Sequence, residues 1–174
     1  MPSTLDSASV TPGAYVLGFC SSLLTWVLLT GSLATDEVVL GMLVSLVVML
    51  AAGQRLALLS GLRLTPLAPL HLLRYLAYFF GQLALSNLDV ARRVISPTLP
   101  IHPELVEVRT GLKSDLGRML LANSITLTPG TLTVEAEGDR LLVHWIDSTP
   151  GSDLESATRA IAAGFEKHIS GFLK

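Results

Sequence analysis

Before Arg55 the sequence contains no lysine and no arginine. A secretory signal peptide opens with a basic segment ahead of its apolar run, so a cleaved leader is not expected here. Charge is scarce throughout, at 15% of 174 residues, where soluble domains carry roughly 25%. The net charge of −2 gives no basic stripe and speaks against a nucleic-acid partner. One cysteine, Cys20, excludes an internal disulfide and a cysteine-built zinc site. It falls in an apolar run, where a small buried thiol is the expectation. No Gly-x-x-x-x-Gly-Lys-Ser/Thr loop and no His-Glu-x-x-His pair occurs. His71, His102, His144 and His168 are scattered over different elements, and no carboxylates join them at ligand spacing. No metal, cofactor or small-molecule substrate is therefore expected.

What the chain has instead is apolar length, with 50% hydrophobic residues and a mean hydropathy of +0.57. Between Asp6 and Asp36 there is no charge, and Tyr15 to Ala34 reads YVLGFCSSLLTWVLLTGSLA. Twenty such residues rise about 30 Å as a helix, the thickness of a bilayer core. A second run, VVLGMLVSLVVMLAAG from Val38 to Gly53, is shorter. It spans fully if Arg55 snorkels and Leu56–Leu59 continues the helix. A tight connection around Thr35, Asp36 and Glu37 makes the pair an antiparallel hairpin, and Gly41, Ser45 and Ala52 would let the helices approach closely. Neither helix holds an ionisable group at depth, which a proton or cation path needs.

The third segment, His71 to Ile95, differs in kind. Arg74, Tyr78, Gln82, Ser86, Asp89 and Arg93 recur at helical spacing and form one polar stripe, and leucines, phenylalanines and valines cover most of the remainder. Such a helix lies at the membrane interface, or spans with its stripe toward protein partners. The first connection carries only acids and belongs outside. Arg55, Arg63 and Arg74 on one side of the third segment, and Arg92, Arg93, Arg109 and Lys113 on the other, all ask for the cytoplasm. Two spans plus an amphipathic helix satisfies every charge, and three spans remains the rival. Both place the C-terminal part in the cytoplasm of a multi-pass cell-membrane protein.

Pro66 and Pro69 break any helix before the third segment, and Pro97, Pro100 and Pro103 mark the boundary of a polar domain. There ELVEVRT alternates as a strand, and KSDLGRMLLANSI reads as a helix with Ser114 at its N-cap. TLTVEAE and LLVHWID form a hairpin through Gly138, and SDLESATRAIAAGFEKHISGFL closes with an amphipathic helix. His144 alternates with Leu142 and Ile146 as a satisfied sheet histidine, and Asp147 caps the turn that follows. The expected organisation is a 1–13 extension, a 14–60 transmembrane hairpin, a 71–96 amphipathic or third membrane helix, and a 104–174 α+β domain of order β-α-β-β-α. Thr128, Pro129, Gly130 and Thr131 have the composition of a type II turn. The threonines lack an adjacent base, so nucleophilic catalysis has no partner and no enzyme activity is expected.

Three stretches carry a resemblance. NLDVARRVISP (Asn87–Pro97), LKSDLGRMLLANSITLTPGTLTVE (Leu112–Glu135) and LLVHWID (Leu141–Asp147) resemble the E-type subunits of the Mrp (Mnh) multisubunit cation/proton antiporters. That family shows an Ala-Asn-x-Asp-Val helix, an Ala-Asn-Ser-Ile-Thr-Leu-Thr-Pro-Gly-Thr block and a Val-His-x-x-Asp strand. The match is close from about Arg74 to Asp147 and holds only in kind over the N-terminal hairpin. MPSTLDSASVTPG is longer than usual for the family, and Trp145 stands where a smaller residue is common. The resemblance implies an accessory, non-conducting membrane subunit that supports assembly of a cation (Na+)/proton antiporter. Its partners would be the other subunits and the lipid bilayer, with Arg74, Gln82, Asn87, Asp89 and Arg93 as candidate subunit-interface residues. The alternatives are the equivalent subunit of a redox-linked ion-pumping complex, such as a membrane-bound hydrogenase, and a stand-alone membrane adaptor.

Overall fold

The structure is a computed structural model and describes residues 12–53, 56, 61–63 and 65–174. The N-terminal extension up to residue 11, and Arg55 with most of the stretch proposed to prolong the second helix, lie outside the described residues. The chain divides into two compact units, Met1–Gly61 and Leu62–Lys174.

The first unit is a hairpin of α1 (Pro12–Thr30) and α2 (Thr35–Ala52). Pro12 opens α1 at a position where its missing N–H costs nothing. Gly31, at φ +62°, ends it while its N–H donates to the Val27 carbonyl at 2.9 Å. The connection therefore sits at residues 31–34, earlier than the composition suggested, because Asp36 and Glu37 form the first turn of α2. Carboxylates there complement the positive end of the helix dipole, which draws the helix start toward them. At the far end Gly53, at φ +49°, terminates α2. α2 as described has 18 residues, about 27 Å of helix and within the range that spans a bilayer. Gly18 packs against Met49 and Leu56, and Gly41 lies under the Trp26 ring. The indole N–H of Trp26 donates to the Glu37 carbonyl at 3.1 Å and so ties α1 to the first turn of α2. Cys20, expected to be buried, is exposed on the outer surface of the hairpin, as are Leu24, Leu28, Leu43 and Val47. Apolar surface of that extent belongs against lipid or other membrane helices.

The second unit begins with α3 (Ala68–Ile95) and continues with β1 (Glu104–Arg109), α4 (Asp115–Leu127), β2 (Thr131–Glu137) and β3 (Arg140–Trp145). It ends with α5 (Leu154–Ala157), which runs through a π-helical stretch (Thr158–Ala162) into α6 (Ala163–Ile169). Pro69 does not break α3 but stands in its first turn, where no backbone N–H is needed. The Ser114 hydroxyl accepts from the Gly117 N–H at 3.2 Å and caps α4. Asp153 caps α5 in the same way.

The sheet is antiparallel with β3 in the centre, in the order β1-β3-β2. Val106 pairs with Val143, and Val143 with Thr133. A bulge between Thr133 and Glu135 adds a residue to β2. Val106, Val108, Leu141 and Val143 turn inward against Leu121 and Ile125 of α4 and Ile161, Phe165 and Ile169 of the C-terminal helices. His144 sits in β3 as expected and is exposed on the other face, and the residues that flank it in sequence, Val143 and Trp145, turn inward.

α3 completes this core through Tyr75, 5% exposed, whose hydroxyl meets the Ser124 hydroxyl at 2.8 Å. The Tyr75 ring packs on Phe79 and Phe172, and the Tyr78 ring stands edge-on to Phe165 and His168. Gly164 leaves room for Tyr78, because a Cβ there would overlap the tyrosine hydroxyl.

Candidate subunit-interface site

The stripe of α3 and the Pro129–Gly130 turn, far apart in sequence, line opposite walls of one open cleft of about 320 Å³. Tyr78, Gln82, Ser86, Asp89 and Arg93 come from α3, and the floor includes Trp145, Ile146 and Asp147. Each wall has a local cause.

The turn wall is built by threonine hydroxyls. The last carbonyls of a helix have no partner within it, and here the side chains that follow supply one. Thr128 Oγ1 donates to the Ser124 carbonyl at 2.8 Å, and Thr131 Oγ1 to the Ile125 carbonyl at 2.6 Å. Thr133 Oγ1 reaches the Ala122 carbonyl at 3.1 Å, and Thr126 Oγ1 accepts from the Thr133 N–H at 3.1 Å along the free edge of β2. The Thr131 N–H closes the turn on the Thr128 carbonyl at 3.2 Å, with Gly130 at φ +95°. The Gly130 carbonyl then accepts from the Ile146 N–H at 2.9 Å, which joins the turn to the end of β3. Every threonine hydroxyl in this block is engaged with backbone.

The opposite wall is organised by Arg93. Its Nε donates to Asp89 Oδ2 at 2.7 Å, and its Nη1 to Asp147 Oδ2 at 2.7 Å and to the Pro100 carbonyl at 2.6 Å. One guanidinium thus fastens the end of α3, the proline-rich connection and the exit of β3. Arg93 and Asp147 are each 17% exposed, whereas Asp89 is 51% exposed at the rim. Asp147 also accepts from the Thr149 hydroxyl and N–H, and His102 Nδ1 lies 3.5 Å away. The Thr149 hydroxyl, reinforced by Arg93, holds the Asp147 carboxyl at about 2, well below its usual 3.8. Asp147 is an anion at any physiological pH and does not exchange protons there.

The candidate residues do not all converge. Gln82 lines the cleft, and Asp89 and Arg93 form its charged end. Arg74 is exposed and away from it. Asn87 is exposed too, outside the cleft, and its amide donates to the Leu83 carbonyl at 2.7 Å. Tyr75, the most buried side chain of α3, gave no signal among its leucine neighbours. Among the described residues, no three His, Cys, Asp or Glu side chains gather as a metal site.

Comparison with known proteins agrees with this architecture. Residues 19–171 match the family MNHE, described as a Na+/H+ ion antiporter subunit. The E-type subunit of the Na+/H+ antiporter of Alkalihalophilus pseudofirmus is 39% identical over 100 residues, which cover 56% of this chain and 61% of that protein. The E1-type subunit from Staphylococcus aureus is 32% identical over 134 residues, covering 75% of this chain and 82% of that one. A chain from the membrane-bound sulfane sulfur reductase, an archaeal respiratory membrane complex, superposes with a TM-score of 0.77 at 37% identity, covering 90% of this chain and 96% of that one. The polar stripe, the threonine-fastened turn and the hairpin ahead of them are accordingly features of a chain that belongs to the MNHE family of Na+/H+ antiporter subunits.

Proposed function

We propose that this chain is an accessory, non-conducting membrane subunit of a multisubunit Na+/H+ antiporter, where it supports assembly and stability of the complex. The observation that carries the reading is the placement of charge. Between Pro12 and Ala52 the only charged side chains are Asp36 and Glu37, in the first turn of α2 at the end of the hairpin. An ion path across a bilayer needs ionisable groups at depth, so the conducting route belongs to other subunits. The cleft supports the same reading, because its charges are paired with one another and its threonine hydroxyls are bonded to backbone carbonyls. The acidic first turn of α2 and the arginines of α3 support a multi-pass topology with the C-terminal domain in the cytoplasm. Of the candidate interface residues, Asp89 stands exposed at the rim of the cleft as the contact to a neighbouring subunit, and Gln82 and Arg93 shape the cleft beside it, whereas Arg74 and Asn87 lie outside it.

A second reading has its own support. The sulfane sulfur reductase chain aligns over 90% of this one, so the same architecture serves in a respiratory complex. Purification of the tagged chain in mild detergent, with mass spectrometry of what comes with it, tests both. Large antiporter subunits are expected. Redox subunits in their place would establish the second reading, and a stable lone chain would make it an adaptor.

A further inference from the structure

The inner face of α3 is fastened to its own domain near both ends, with the cleft between. Tyr75 meets Ser124 and Phe172 near its start, and Arg93 meets Asp147 near its end. Those two contacts are separated by about 27 Å of helix, close to the roughly 30 Å of a bilayer core. A spanning α3 would therefore draw the sheet domain, with its exposed Glu135, Glu137, Asp139 and Arg140, into the hydrocarbon. Charged surface of that kind is not tolerated there.

The outer face is nevertheless apolar. Leu72, Leu73, Leu76, Phe80, Leu88 and Ile95 are exposed, Phe80 at 60% and Ile95 at 82%. At 3.6 residues per turn they spread over roughly half of the circumference, wider than the seam a single partner helix fills. Asn87 is the polar exception within this arc, and its amide is already bonded to the Leu83 carbonyl. Arg74 and Arg92, both exposed, stand five turns apart and so share one azimuth, at the margin of the arc.

From this geometry we infer that α3 lies in the plane of the membrane surface, its outer arc among the upper acyl chains and Arg74 and Arg92 on anionic lipid headgroups. The occupant of the exposed face is lipid. The arc supplies the apolar contact and the two arginines the charge that such a surface attracts. A helix lying flat holds both arginines at one depth, whereas a spanning helix would place them on opposite sides. The inference rests on the membrane-subunit reading, since the hairpin is what tethers α3 at a bilayer.

The test uses the full chain in a Cys20→Ala background, reconstituted in vesicles of phosphatidylcholine with or without phosphatidylglycerol. Leu73→Cys, Phe80→Cys and Ala91→Cys, which share nearly one azimuth on the exposed face, each carry an environment-sensitive fluorophore, read against lipids with quenchers at shallow or deep acyl positions. Leu46→Cys in α2 and Glu137→Cys in β2 serve as deep and aqueous references. Equal, shallow quenching at the three α3 positions is expected. A depth gradient from Leu73 to Ala91 would mean a span, and no quenching would mean a protein-covered or aqueous face; either overturns the inference. Deep quenching at Leu46 with an unquenched α3 sinks the inference alone, whereas an unquenched Leu46 removes the membrane reading as well. A second measurement isolates the charges. Arg74→Gln with Arg92→Gln should lower quenching at Phe80 in anionic vesicles to the level that neutral vesicles give, and unchanged quenching would remove the arginines from the proposal.

Discussion

Arg93 and Asp147, 54 residues apart, meet at 2.7 Å and fasten the end of α3 to the exit of the central strand. Both side chains are largely shielded, and removing one leaves the other charge poorly solvated. Arg93→Ala should therefore lower stability by about 1–3 kcal/mol, read as the melting temperature of the purified complex in detergent. A double-mutant cycle with Asp147→Ala should show coupling, and additive losses would mean that the pair contributes nothing as a pair.

The same carboxylate gives a pH dependence. The Asp147 carboxyl sits at about 2 in the folded chain, against 3.8 for the free group. A depressed value means that the stabilisation is complete above about pH 4 and is lost as pH falls through 2. Wild type should lose stability faster than Asp147→Asn between pH 4 and pH 2, with no difference in slope near neutrality. A slope difference between pH 6 and pH 8 would assign the titration to another group.

The turn gives a second comparison. Gly130 has φ +95°, and a Cβ there would stand 2.9 Å from Ile146 Cγ2. Gly130→Val meets both strain and a clash, at about 2 kcal/mol or more. Thr131→Ser keeps the hydroxyl that serves the Ile125 carbonyl and should be mild. Complex assembled at wild-type level and thermal stability with Gly130→Val would contradict the turn geometry.

Asp89 separates docking from conduction. It is half exposed and bonded to Arg93, and exposed pairs contribute little, typically under 1 kcal/mol. Asp89→Asn keeps shape and most hydrogen bonding, so exchange activity should fall mildly. Asp89→Leu should be worse, and its loss should track loss of this chain from the complex. If Asp89→Asn abolishes exchange in a fully assembled complex, the chain belongs to the ion path.

Topology is open to chemistry in intact cells. With Cys20→Ala as background, Asp36→Cys should label with an impermeant thiol reagent and Ser152→Cys should not. Labelling of Ser152→Cys from outside would reverse the orientation.

Much of the fold could be read from local pattern. Charge-free runs mark α1 and α2, Ser114 marks the start of α4, and Gly138, at φ +59°, marks the hairpin between β2 and β3. The misplaced boundaries have local causes: Asp36 and Glu37 suit a helix start as well as a loop, and Pro69 suits a first turn as well as a break. What pattern did not supply is non-local. Nothing within β1 says that it joins β3, which arrives after α4 and β2. The stripe on α3 was visible, but its orientation was not, because Tyr75 reads as one more apolar residue until Ser124 and Phe172 close on it. The cleft depends on the same long-range closure, since its two walls are separate motifs in sequence.

That closure has a consequence for the order of synthesis. Ser124 is made 49 residues after Tyr75, and Phe172 later still. At about 5–20 residues per second, Tyr75 leaves the ribosome roughly 2–10 s before Ser124 exists, and longer before Phe172 does. The central strand of the sheet is also among the last segments translated. The inner face of α3 around Tyr75 thus stays uncovered by these partners until Ser124 and then Phe172 have been translated, and a nascent chain must keep it out of wrong associations until then.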